Sequence, residues 1–117
     1  MLSVTAPPCM LTIHAHPDDE ASKGAPTCAR YHAEGVRTVL VCCTGGEEGD
    51  LQNPGLREPG QRFHGVSAEQ EKALLAELRP GELARAAEII GFDEVVMLGY
   101  RDSGMVDSPA NHHPGSF

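Results

Sequence analysis

This sequence predicts an α/β domain, a mostly parallel sheet with flanking helices, and three observations lead there. Three apolar runs of strand length, near residues 10–14, 38–43 and 94–98, are separated by segments with helical apolar spacing. The middle run is continuous rather than alternating, as strands buried on both faces are. Each run gives way to a polar loop, and parallel strands deliver such loops to one edge of a sheet, where ligand sites form. The 117 residues suffice for one domain, read as spanning residues 1–117.

The first strand covers about residues 10–14, and Pro17 ends its pairing because it has no N–H to offer a ladder. A helix is expected over roughly residues 22–34, with Ala25, Cys28, Ala29 and His32 on its packed face and Gly35 closing it. Pro26 falls in its first turn, where N–H groups have no intrahelical partner. The second strand occupies residues 38–43, which completes a βαβ unit with a right-handed crossover.

Residues 45–65 are rich in Gly, Pro and charge and read as a long loop, more often functional than neutral. Ser67 with Gln70 signals the start of a helix over residues 67–77. Pro80 suits the first position of a separate helix running to Ile90, with Leu83, Ala86, Ala87 and Ile90 inward and Gly91 as terminator. A third strand follows over residues 94–98, then loop to Phe117. The order of elements is Rossmann-like.

Composition excludes several classes. Nine Lys and Arg against seventeen Asp and Glu give a net charge of −8, which argues against a phosphate-neutralising nucleic-acid groove and against an anionic membrane surface. No apolar run approaches the length of a membrane span. Residues 1–8 lack the pattern of a signal peptide and read as a disordered lead-in, so a cytoplasmic location is expected. The four cysteines form no Cys-x-x-Cys pair and are expected as reduced thiols. With no Trp, stacking of a sugar or base on indole is not available.

The chemistry concentrates in His14-Ala15-His16-Pro17-Asp18-Asp19-Glu20, where two imidazoles and three carboxylates fall within seven residues. His16 and Asp19, three apart on a turn entering a helix, can face one point. Zinc accepts mixed N/O ligation, although two ligands are one short of the usual three. Asp18 points elsewhere along the turn and can take a proton from an activated water. Glu20 is expected to stabilise the helix start or orient a ligand. His14 reads as a packed strand-end histidine.

The loop Thr44-Gly45-Gly46-Glu47-Glu48-Gly49 lacks the Lys of a phosphate cradle and carries acids, so its glycines suggest close backbone approach; a nucleotide-binding module is the weaker reading. Arg101-Asp102 is either a solvated ion pair or, at a strand end, a carboxylate for sugar hydroxyls. His112 and His113 lie in a Pro/Asn/Ser-rich tail and read as poor ligands.

Ala15-His16-Pro17-Asp18-Asp19-Glu20, with the segments 44–49 and 99–105, resembles the signatures of the zinc-dependent N-acetylglucosaminyl deacetylase family, the PIG-L or LmbE-like type, most closely its mycothiol branch. Within that branch, Ser22-Lys23-Gly24 and Ala86-Ala87-Glu88-Ile89-Ile90-Gly91 are similar to the mycothiol S-conjugate amidase subfamily. The resemblance implies zinc-dependent amide hydrolysis of a small-molecule thiol–sugar conjugate, yielding glucosaminyl-inositol and a mercapturic acid. Its alternatives are deacetylation of an N-acetylglucosaminyl compound such as the mycothiol precursor, or substrate binding without turnover.

It further implies His16 and Asp19 as zinc ligands, Asp18 as general base, and Lys23, Arg79, Asp102 and Met105 as substrate contacts. Iron(II) is an alternative metal for such donors. Family members are much longer, and their third ligand and acid histidine lie in a His-Pro-Asp-His motif that this sequence lacks. A truncated domain without its later strands, holding half a site and inactive alone, is therefore expected.

Overall fold

The computed structural model describes residues 6–117; most of the expected lead-in lies outside them. Three parallel strands form one sheet in the order β1 (Cys9–His14), β2 (Arg37–Thr44), β3 (Glu94–Tyr100). Cys9 pairs with Arg37 and His14 with Cys42, so β1 and β2 end together. An irregularity between Cys42 and Thr44 lets Thr44 meet Tyr100. All three strands extend beyond the apolar runs, because backbone pairing continues where side chains turn polar.

The central strand carries the core. Thr38, Val39, Leu40, Cys42, Cys43 and Thr44 are all buried. Leu40 and Cys42 pack on Leu83, with Phe92 and Val95 beside them. Full burial of a side chain such as Leu40 contributes about 2 kcal/mol. Leu11 and Ile13 are in register with Val39 and Val41, on the face opposite Leu40 and Cys42, and are exposed. Burial on both faces thus belongs to β2 and not to its neighbours.

The helix expected over residues 22–34 is two helices, α1 (Asp19–Ser22) and α2 (Ala25–Ala33). Between them Lys23 is extended and Gly24 is left-handed at φ 78. The cause is Pro26, whose ring would clash with the Ser22 carbonyl in a continuous helix and leave it unpaired. In the observed arrangement Pro26 sits in the first turn of α2, as its chemistry demands. Cys28, on α2, is buried with its sulfur 3.8 Å from that of Met10.

The two helices expected over residues 67–90 are instead one, α3 (Ala68–Ile90), with Pro80 inside it. Pro80 removes one bond to the Ala76 carbonyl, a cost of roughly 3 kcal/mol. Several features offset it. A reciprocal capping box joins Ser67 and Gln70, Gly91 closes the far end at φ 103, and Leu83 and Ala87 are buried against the sheet. The long loop before α3 is pinned rather than free: Arg57 pairs with Glu71, Arg62 with Glu77, and Phe63 is buried.

Candidate active site

The loops after β1, β2 and β3 meet at one sheet edge, as the parallel arrangement requires. In the first, the N–H groups of Asp18 and Asp19 both donate to the His16 carbonyl, at 3.0 and 3.2 Å. The Asp19 carboxylate reaches back and accepts from the His16 N–H at 3.0 Å. This tight turn sets Asp19 Oδ2 3.6 Å from His16 Nδ1. Lys23 Nζ donates to Asp19 Oδ1 at 2.8 Å. Burial pushes the Asp19 carboxyl up, but the Lys23 hydrogen bond, the His16 N–H and the charges of both residues outweigh it and hold it below its ordinary value.

The second loop is tied to the first. Thr44 Oγ1 donates to the Ala15 carbonyl at 2.7 Å and accepts from the Gly46 N–H at 3.3 Å. Arg79 reaches up from the middle of α3 and donates to the carbonyls of Gly46 and of Pro17, the latter at 2.8 Å. Gly46 is left-handed at φ 67, and a Cβ there would overlap the Arg79 guanidinium. Close backbone approach therefore accounts for this glycine, and its partner is an arginine of the same chain. Asp18 stays exposed, with Oδ2 3.5 Å from Arg79 Nη2.

The third loop brings Asp102. Its side chain is buried, with Oδ1 3.4 Å from His16 Nε2 and 2.9 Å from the Gly104 N–H that donates to it. Oδ2 accepts from the Glu48 N–H at 3.4 Å, and the Asp102 N–H donates to Glu47 at 2.9 Å. The solvated Arg101–Asp102 ion pair is not what forms. Arg101 turns its charge to Glu48 at 2.6 Å and gives Asp102 only a bond to the backbone carbonyl at 3.1 Å. The acids of the Gly-rich loop thus serve as anchors for the third loop, a pairing 53 residues apart that no local pattern announces.

A cavity of about 360 Å³ opens between the loops, lined by His16, Asp18, Asp19, Arg79, Asp102 and Met105 together with residues 48–50 and Gly104. Met105 stands exposed at its rim. Lys23 lies outside the lining and reaches the site only through Asp19. Glu20 is 2 % exposed, does not line the cavity, and leaves Oε2 without a partner; burial pushes its carboxyl up.

The donors fit part of a metal shell. Two ligands on a tetrahedral ion, with bonds of about 2.0–2.2 Å, stand ~3.4 Å apart, close to the 3.6 Å between His16 Nδ1 and Asp19 Oδ2. Among the described residues no three His, Cys, Asp or Glu side chains converge as a complete set. His112 and His113 line a different cavity and do not supply the third donor.

Comparison with known proteins covers the segments that build this site. The family model described as PIG-L, GlcNAc-PI de-N-acetylase, matches residues 11–113. A 1D-myo-inositol 2-acetamido-2-deoxy-alpha-D-glucopyranoside deacetylase 2 of Catenulispora acidiphila is 44 % identical over 119 residues, covering 98 % of this chain and 36 % of its own. A protein named as the same kind of deacetylase in Actinosynnema mirum is 42 % identical over 120 residues, covering 99 % of this chain and 40 % of its own. Among solved structures, an N,N'-diacetylchitobiose deacetylase from Pyrococcus horikoshii superposes with a TM-score of 0.61 at 26 % identity, over 81 % of this chain and 30 % of that one. The chain thus spans between a third and two-fifths of the length of the two curated relatives.

Proposed function

This chain belongs to the PIG-L, GlcNAc-PI de-N-acetylase, family, and from that premise we propose that it forms the metal-gripping, sugar-holding part of a deacetylase acting on an N-acetylglucosaminyl-inositol. The observation that carries the reading is His16 held between the carboxylates of Asp19 and Asp102 in a cavity that also bears an exposed carboxylate, Asp18.

His16 and Asp19 would hold the ion. A divalent ion such as zinc, held by these two side chains, would supply polarisation of the amide carbonyl and acidify water. Asp18, exposed and steered by Arg79, accepts the proton of the attacking water. Asp102 has accepting capacity beyond its contacts with His16 and the N–H groups of Glu48 and Gly104, since a carboxylate offers about four lone-pair sites, and takes a sugar hydroxyl. Met105 lays an apolar surface at the cavity rim against the sugar. Four free thiols suit the reducing interior of a cell.

Two considerations favour deacetylation over cleavage of a mycothiol S-conjugate. The curated relatives are named as deacetylases of the acetamido sugar. Lys23, the residue through which the amidase resemblance implies a contact to the thiol-bearing part, lies outside the lining of the cavity.

The test is a graft. The chain replaces the matching segment of the Catenulispora acidiphila relative, and the product is assayed for acetate release from N-acetylglucosaminyl-inositol beside cleavage of a fluorescent mycothiol adduct. Acetate release should dominate, and Asp18→Asn should lower it by about 10²–10⁴-fold. A folded graft that cleaves the adduct and releases no acetate overturns the reading.

A further inference from the structure

A second cavity, of about 410 Å³, lies beside the first and shares one wall with it, Glu48. Lys72 from α3, Arg101 from the end of β3, and residues 108–110, His112 and His113 from the last loop complete its lining. Charge pairing here differs from the rest of the described surface. The other Lys and Arg ion pairs match one cation to one carboxylate: Lys23 to Asp19, Arg30 to Glu34, Arg37 to Glu94, Arg57 to Glu71, Arg62 to Glu77, Arg79 to Asp18. Glu48 alone is shared by two, Lys72 at 2.8 Å and Arg101 at 2.6 Å. Among the residues that line this cavity two cations thus stand against one carboxylate, in a chain whose net charge is −8.

The donors are also unspent. An ammonium carries three hydrogens and a guanidinium five. Lys72 spends one on Glu48, and Arg101 spends two, on Glu48 and the Asp102 carbonyl. His113 Nδ1 accepts from the Gly115 N–H at 3.0 Å, so the neutral ring carries its proton on Nε2 and keeps a donor. A cation in excess, N–H donors on three side chains and a concave shape are what binds an oxyanion.

We infer that this cavity is an anion subsite, taking a phosphate or carboxylate group. The group is either a substituent on the sugar substrate lodged next door or a free small anion. The first source rests on the deacetylase reading; the subsite itself does not.

Backbone amide NMR on the described chain tests it, with inorganic phosphate titrated at constant ionic strength. Saturable shifts should appear at residues 72, 101, 108 and 110–113 with a millimolar Kd. Lys72→Met should weaken binding at least five-fold while Lys72→Arg, which keeps the charge, retains it. N-acetylglucosamine 6-phosphate separates the sources. Shifts that spread to residues 102–105 assign the anion to the substrate; shifts confined to the second cavity assign it to a free anion. Absence of saturable phosphate shifts, or equal affinity in Lys72→Met, overturns the inference. Because the readout is binding, loss of acetate release with phosphate binding intact counts against the deacetylase reading alone.

Discussion

His16 and Asp102, 86 residues apart in sequence, meet with Nε2 and Oδ1 separated by 3.4 Å. Asp19 stands on the other side of the ring, 3.6 Å from Nδ1. A metal-ligating histidine ordinarily gives its second nitrogen's hydrogen to a carboxylate, which fixes both tautomer and ring orientation. On the proposal that His16 is a ligand, Asp102 would take the Nε2 hydrogen and the Nδ1 lone pair would face Asp19 for an ion.

That assignment can be checked directly. The 15N shifts of the His16 imidazole should report the Nε2–H tautomer in the wild-type chain. In Asp102→Ala they should move toward the Nδ1–H tautomer, because the Asp19 carboxylate, 3.6 Å from Nδ1, is then the acceptor left beside the ring. A pure Nδ1–H tautomer in the wild type would contradict the arrangement.

Arg79 joins two loops by hydrogen bonds to the carbonyls of Pro17 and Gly46. Removing it leaves two partly buried acceptors without their donor. Arg79→Ala should therefore cost about 1–3 kcal/mol, read from urea midpoints at constant m-value. Arg79→Lys should recover little, since an ammonium on one stem lacks the fork that reaches both carbonyls. Wild-type stability in Arg79→Ala would show that the loops hold themselves.

At the opposite edge of the sheet the Thr38 N–H donates to Asp93 Oδ2 at 2.8 Å. That bond, then the charge of His32 and further bonds from Thr38 and His32, hold the Asp93 carboxyl below its ordinary value of 3.8, against the opposing effect of desolvation. A depressed carboxylate contributes stability above its unfolded pKa and loses it as pH falls through its folded one. Wild type should therefore exceed Asp93→Asn in stability at pH 7, and the gap should close below about pH 4. A gap that widens on acidification would reverse the sign.

The thiols should differ sharply in reactivity. Cys9 is exposed; Cys28, Cys42 and Cys43 are buried. Burial pushes the Cys42 thiol up to about 11 and the Cys28 thiol upward as well. Brief alkylation of the native chain at pH 7.5, followed by peptide mass spectrometry, should mark Cys9 and spare the other three, which label only on unfolding. Rapid native labelling of Cys42 would place it elsewhere than in the core.

The parallel sheet was legible in residues 38–43 because a strand buried on both faces must be apolar throughout, and β2 is such a strand. The turn at His16–Asp19 was legible because its partners lie within three residues. Helix continuity was not. Pro80 carries a local signal to stop, which the packing of Leu83 and Ala87 and the caps of α3 override. Pro26 carries a similar signal and prevails, because Gly24 offers a cheap left-handed turn ahead of it. Arg79 rests on family resemblance, and Asp102 is one of two readings of a strand-end pair that the resemblance then favours; spacing could not show that one spans 33 residues to Gly46 and the other 86 to His16. The sharing of Glu48 between Lys72 and Arg101 has no sequence signal, since it joins residues 24 and 53 positions apart on three different elements.

The central claim, that His16 and Asp19 together grip a divalent ion, is tested most directly by zinc titration against a chromophoric chelator. The chain should bind zinc weakly, in the micromolar range or above, since a structural or catalytic site normally needs three or four protein ligands. His16→Ala and Asp19→Ala should each abolish that binding, and His112→Ala should leave it unchanged. Undiminished zinc affinity in His16→Ala would contradict the account.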